Sequence, residues 1–101
     1  MAAVLVQIRV EDYANWRMAF EEGAPLRATM GATSTTIMQQ ENDPNSVAIL
    51  FEVPDLQRAK QFSQNPELRE AQQRSGVIGK PNVSFYSNVA HLTAGYAAAA
   101  G

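Results

Sequence analysis

The 101-residue sequence has no cysteine and a single histidine. The first absence removes disulfides, thiolate nucleophiles and cysteine-ligated metals. The second removes the histidine clusters on which zinc and non-haem iron sites depend. An all-carboxylate site would have to use pairs such as Glu21 and Glu22, which are adjacent in sequence and so diverge on a helix. No metal or other cofactor is expected. Basic charge is sparse as well: eight scattered Lys and Arg stand against ten Asp and Glu, for a net charge of −2. Nucleic-acid binding requires a clustered basic surface that displaces counterions from phosphates, so that partner class is set aside. No apolar run approaches the roughly 20 residues of a membrane-spanning helix. The opening "MAAVLVQIRV" has no basic region ahead of its apolar residues and turns polar at Gln7 and Arg9, unlike a signal peptide. A cytoplasmic protein with no membrane partner is the expectation. Gly-rich phosphate loops, nucleophile elbows and Ser/His/Asp spacings are also missing.

What is present is a globular pattern, 46% apolar, of single-domain length. Val4, Val6, Ile8 and Val10 alternate with Leu5, Gln7 and Arg9, the period of a strand with two unlike faces. Asp12 is placed to cap a helix whose apolar side is Tyr13, Trp16, Phe20 and Ala24. Gly23 and Pro25 kink it, and Gly31 ends its continuation from Pro25 to Met30. Ala32–Gln40 and Val47–Val53 read as strands of a hairpin turned at Asp43-Pro44-Asn45. Asp55 caps a second helix carrying Leu56, Ala59 and Phe62; it restarts with Asn65 as cap and Pro66 in the first helical position, and closes at Gly76. "GVIGKP" reads as a connector before a last strand, Asn82–His91.

The order β-α-β-β-α-β predicts an α+β, ferredoxin-like fold: a four-stranded antiparallel sheet with the helices on one face. Val47–Val53 is apolar on both sides, and Leu5 also lies on the second face. A sheet with one wet face alternates more cleanly, so the second face is expected to pack on another copy in a twofold homodimer. Residues 1–90 form the domain, and 91–101 an Ala-rich tail that is either loose or packed on a partner chain.

The segments "VEDYANWRMAFEEGAPLRATMG", "NDPNSVAILFEVPDLQRAKQF" and "NPELREAQQRSGVIGKPNVSFY" resemble the dimeric α+β-barrel superfamily, and within it the small antibiotic-biosynthesis-monooxygenase-like and cyclase-like members. The resemblance runs from Val4 to about Asn88. It implies a barrel of two sheets and a small-molecule pocket between sheet and helices in each subunit. It also implies a cofactor-independent enzyme that cyclises, isomerises or oxygenates a hydrophobic, aromatic or polyketide-like molecule. The alternative is a non-catalytic homodimeric module that binds a small ligand or a partner.

Within that frame Tyr13, Trp16 and Phe20 are either plain core or a pocket wall, with Trp16 able to stack on a planar ligand. Tyrosine and tryptophan bring polar tips that need partners when buried. By strand parity His91 falls on the pocket side with Phe85, Ser87 and Val89, unless the strand ends before it. His91 and Tyr13 are the candidate proton movers, and Trp16, Phe20, Phe51, Phe85 and Ser87 the candidate substrate contacts. Ser34 and Thr36 offer further hydroxyls. Arg17 and Glu21, four apart, read as a solvated surface pair.

Overall fold

The alternating segment becomes strand β1 (Ala2–Val10), which is paired along both edges. The computed structural model describes residues 1–92 and 94. After β1 come helix α1 (Tyr13–Glu22), helix α2 (Ala24–Arg27) and a 3₁₀ turn (Ala28–Met30). Strands β2 (Ser34–Gln40) and β3 (Asp43–Val53), helices α3 (Leu56–Ser63) and α4 (Pro66–Arg74) and strand β4 (Val77–Tyr86) follow. The sheet runs β2-β3-β1-β4, each neighbour antiparallel to the next. This is the expected ferredoxin-like α+β plan, with each of its two helices broken into a pair.

Register decides which side chains share a face. Val4 lies opposite Phe51 and Phe85, and Val6 opposite Ile49 and Val83, so these residues look toward the helices. Trp16, Met30, Ala59 and Phe62 descend from the helical layer to meet them. Ala3, Leu5 and Gln7 point the other way, beside Glu52, Leu50 and Ala48.

The helix starts follow from side-chain chemistry. Asp12 accepts from the Asn15 amide, Asp55 from those of Gln57 and Arg58, and Asn65 from that of Glu67, so each cap relieves first-turn donors. Gly31, with φ 76°, ends the 3₁₀ turn in the left-handed conformation that suits glycine. Asn45 fastens α1 to the sheet: its Oδ1 accepts from the Tyr13 amide at 3.0 Å and its Nδ2 donates to the Glu11 carbonyl at 3.4 Å.

Two boundaries differ from the sequence reading. The hairpin turns at Glu41-Asn42, and Asp43 already pairs with Gln40. Asp43 Oδ1 accepts from the Asn45 amide at 3.1 Å, so the turn-forming chemistry of Asp43-Pro44-Asn45 serves a register shift inside the hairpin. The second difference is in β4. Val77 and Ile78 pair with Val10 and Arg9, and Asn82 pairs with Gln7, leaving Gly79-Lys80-Pro81 bulged opposite Ile8. Gly79 takes φ 72° there. What reads as a connector is thus the first half of a strand. At its far end β4 stops at Tyr86, opposite Ala3, and does not run to His91. The cause is β1, which begins at Ala2 and offers no further ladder to pair with.

The Asn45 clamp should be measurable. Asn45→Ala removes both bonds to the start of α1, and urea unfolding is expected to show a loss of about 1–2 kcal/mol. An unchanged unfolding midpoint would show that the clamp contributes nothing.

Candidate functional site

The helical layer does not fill the space above the sheet. Gly23 and Pro25 interrupt one arm and Asn65-Pro66 the other, so each arm bends around the sheet in two short pieces. Beneath them lies a cavity of about 560 Å³. Its floor is Val4, Val6, Ile8, Ile49 and Phe51, and one wall is Trp16, Phe20, Leu26 and Met30. The opposite wall comes from α3 and α4, where Leu68, Ala71, Gln72 and Ser75 recur at helical spacing along one face. The bulge Gly79-Lys80-Pro81 forms part of the rim. Three residues thus stand opposite Ile8 alone, and all three border the cavity on the β4 side.

The aromatic wall is a continuous row. Ring centroids are 5.8 Å apart for Tyr13–Trp16, 4.9 Å for Trp16–Phe20 and 6.4 Å for Phe20–Phe51, all tilted, within the range of favourable aromatic contact. Trp16 is 3% exposed and still borders the cavity.

Arg27 is the cavity's half-buried cation. Its Nη1 donates to the Phe20 carbonyl, one of the groups that the end of α1 leaves without a helical partner. Its guanidinium carbon sits 3.5 Å from the Phe20 ring centroid, a cation–π contact at the negative end of the α1 dipole. Burial, followed by the nearby Arg17 charge, presses its pKa below the ordinary guanidinium value, while Glu21 acts in the opposite sense. Arginine remains charged at neutral pH. Arg17 pairs with Glu21 at 2.6 Å on the exposed side of α1, as the four-residue spacing suggests.

The predicted site residues separate into groups. Trp16, Phe20 and Phe51 line the cavity. Tyr13 packs on Trp16 and the core, outside the lining. Phe85 is on the helix side of β4, opposite Val4, but stands clear of the cavity with the Lys60 ammonium 5.7 Å from its ring. Ser87 is exposed beyond the end of β4. Ser34 and Thr36 pair with Glu52 and Leu50, which puts them on the other face of the sheet.

His91 corrects the parity argument most clearly. With β4 ended at Tyr86 the alternation lapses, and the chain carries His91 to the opposite face, where Nε2 donates to Glu52 Oε1. The other Glu52 oxygen accepts from Ser34 Oγ at 2.7 Å. The sheet therefore stands between His91 and Tyr13, and the two do not meet in one cavity. Most of the expected tail, residues 93 and 95–101, lies outside the described residues.

Arg69, Gln72 and Lys80, not among the expected site residues, also border the cavity. The 68-71-72-75 spacing was a usable signal for α4. None was available for Lys80, whose place depends on the bulge.

The architecture is a ferredoxin-like sheet with a hollow under paired, broken helices. In solved structures it matches that of the antibiotic-biosynthesis-monooxygenase-like proteins. A proposed antibiotic biosynthesis monooxygenase from Bordetella bronchiseptica superposes with a TM-score of 0.72 at 14% identity, covering 88% of this chain and 97% of that one. A mutant of SnoaB, a cofactor-independent oxygenase from Streptomyces nogalater, gives 0.69 at 14% identity, with 90% and 95% covered. A monooxygenase from the gene ActVA-Orf6 of Streptomyces coelicolor, in complex with nanaomycin D, gives 0.61 at 19% identity, with 92% of each chain covered. At these identities the likeness is one of fold. No family model matches the sequence, and no curated protein matches it significantly. No helix among the described residues is long and apolar enough to cross a membrane.

The His91–Glu52 contact sets a pH dependence. The hydrogen bond from His91, then that from Ser34, hold the Glu52 carboxyl below the usual carboxylate range. A lowered folded-state pKa contributes stability that is complete above the unfolded value and lost as pH falls through the folded one. In His91→Ala the Glu52 carboxyl is expected to titrate at higher pH, as followed by carbon NMR. An unmoved titration would show that the contact is not formed in solution.

Proposed function

We propose that this chain is a cofactor-independent oxygenase of a hydrophobic, aromatic or polyketide-like small molecule, working in the cavity between sheet and helices. The observation that carries this reading is the cavity itself: about 560 Å³, walled by Trp16, Phe20 and Phe51, and lined mostly by apolar side chains. That volume suits a fused-ring molecule, and the tilted aromatic row offers it faces to stack on. The shared fold favours oxygenation over cyclisation or isomerisation, since SnoaB is a cofactor-independent oxygenase and the ActVA-Orf6 protein a monooxygenase that holds nanaomycin D.

The reaction proposed is the oxidation of an activated methylene to a carbonyl by dioxygen. One oxygen atom becomes the carbonyl, and the other leaves as water with the two methylene hydrogens. The protein's part is to hold the molecule in one orientation and exclude bulk water, which lowers the entropic share of the barrier. His91 and Tyr13 have no role in this reading, because neither borders the cavity.

We further propose the homodimer expected from the sequence. Support comes from the second sheet face, where Leu5, Ala48 and Leu50 are half-buried and Met38 and Tyr86 are 43% and 48% exposed. Polar contacts rim this patch at Gln7–Asn82, Arg9–Asp43 and Glu52–His91. An apolar centre with a polar rim suits a self-complementary interface.

Two measurements test these proposals. With a hydroxyanthrone as substrate, the protein is expected to consume one dioxygen per quinone formed, with no peroxide released. Leu26→Trp, which fills the cavity, should lower that rate by about tenfold or more. A rate no better than that of heat-denatured protein would remove the oxygenase, and binding without turnover would favour the non-catalytic module. Light scattering is expected to give twice the 11.0 kDa of one chain, and the single-chain mass for Leu50→Arg. A wild-type protein at the single-chain mass would remove the dimer.

A further inference from the structure

We infer that the cavity selects molecules that carry a carboxylate, which Arg27, Arg69 and Lys80 receive. This rests on the cavity being a ligand site, and it specifies the ligand. The chain has more acids than bases, yet every charged side chain among the described residues bordering the cavity is a cation. Arg27 stands on α2, Arg69 on α4 and Lys80 on the β4 bulge, so three separate elements supply the charge.

Among the described residues these cations have no carboxylate partner. The ion pairs among the described residues are Arg9–Asp43, Arg17–Glu21, Arg74–Glu70 and His91–Glu52, and none involves the cavity set. Glu21, the acid that acts on Arg27, is already engaged by Arg17. Arg27 uses one nitrogen on the Phe20 carbonyl and holds its guanidinium carbon over the Phe20 ring. Its other N–H donors stay available, and partial burial strengthens whatever they bind. Arg69 and Lys80 are exposed, so their charges are hydrated until a ligand arrives. A planar guanidinium fork matches a carboxylate, which can accept two parallel hydrogen bonds. The favoured ligand lays an apolar ring system against Trp16, Phe20 and Phe51 and directs its carboxylate to the cationic side chains.

The probe is built in, because Trp16 is the chain's single tryptophan and borders the cavity. Its fluorescence can be titrated with anthraquinone-2-carboxylate and with the neutral anthraquinone-2-carboxamide at low salt. The carboxylate is expected to bind about tenfold tighter or better, the scale of one charge-assisted hydrogen bond. That preference should shrink in the double variant Arg69→Gln/Lys80→Gln, whose positions are exposed, and again in Arg27→Gln, with thermal melts confirming folded protein. Equal affinity for the two compounds would overturn the carboxylate preference and leave the apolar ligand site standing. Failure of both to bind would overturn the ligand site and this inference with it. A preference that persists through all the substitutions would overturn the assignment to these three side chains.

Discussion

The ladder between β1 and β3 holds the remainder of the molecule in place. Eight consecutive residues, Ala2 to Arg9, pair with the run from Val53 back to Ser46 without a break. Because side chains alternate strictly along a strand, this single register decides everything that lies under the helices. At one end of the helix side Val53, opposite Ala2, is fully buried, and at the other so is Val10. Packing is therefore solid at both ends of β1. Between them Val4, Val6 and Ile8 form the floor of a hollow. The cavity lies between this sheet and two helical arms, each broken into short pieces.

That geometry also explains how a charge can lie half-buried in an apolar wall. Taking Arg27 out of water is unfavourable unless its donors and its face find partners. The break at Gly23 supplies a partner for one donor and for the face, since it leaves the Phe20 carbonyl free and lets the chain fold back over the Phe20 ring. A Cβ at residue 23 would come within 3.3 Å of the Arg27 guanidinium, so a small residue there gives it room. One interruption of a helix thus opens the cavity and equips its wall.

Much of the fold was legible in the sequence because local chemistry and tertiary packing agree. The alternation of β1 and the caps Asp12, Asp55 and Asn65 each have one physical reading, and the structure adopts it. The aromatic face of α1 was legible for the same reason, and Trp16 and Phe20 do border the hollow. What escaped depends on a partner strand. Gly79 and Pro81 carry turn chemistry, and only pairing of the flanking residues with β1 turns that segment into a bulged strand. The placement of His91 depends on where β1 begins, a fact set near the opposite end of the chain. Charges were least legible of all. Arg69 and Lys80 look like any solvated lysine or arginine until the fold sets them around one space.

The bulge in β4 has a consequence for how this protein behaves in a crowded solution. β4 is an outer strand of the sheet, and the unused backbone donors and acceptors of an outer strand are a template for adding another chain. Lys80 would bring charge to any strand laid alongside, Pro81 has no amide to donate, and the irregularity at Gly79 breaks the even spacing that a new ladder needs. The bulge that borders the cavity therefore also guards this flank of the sheet against open-ended growth into aggregates.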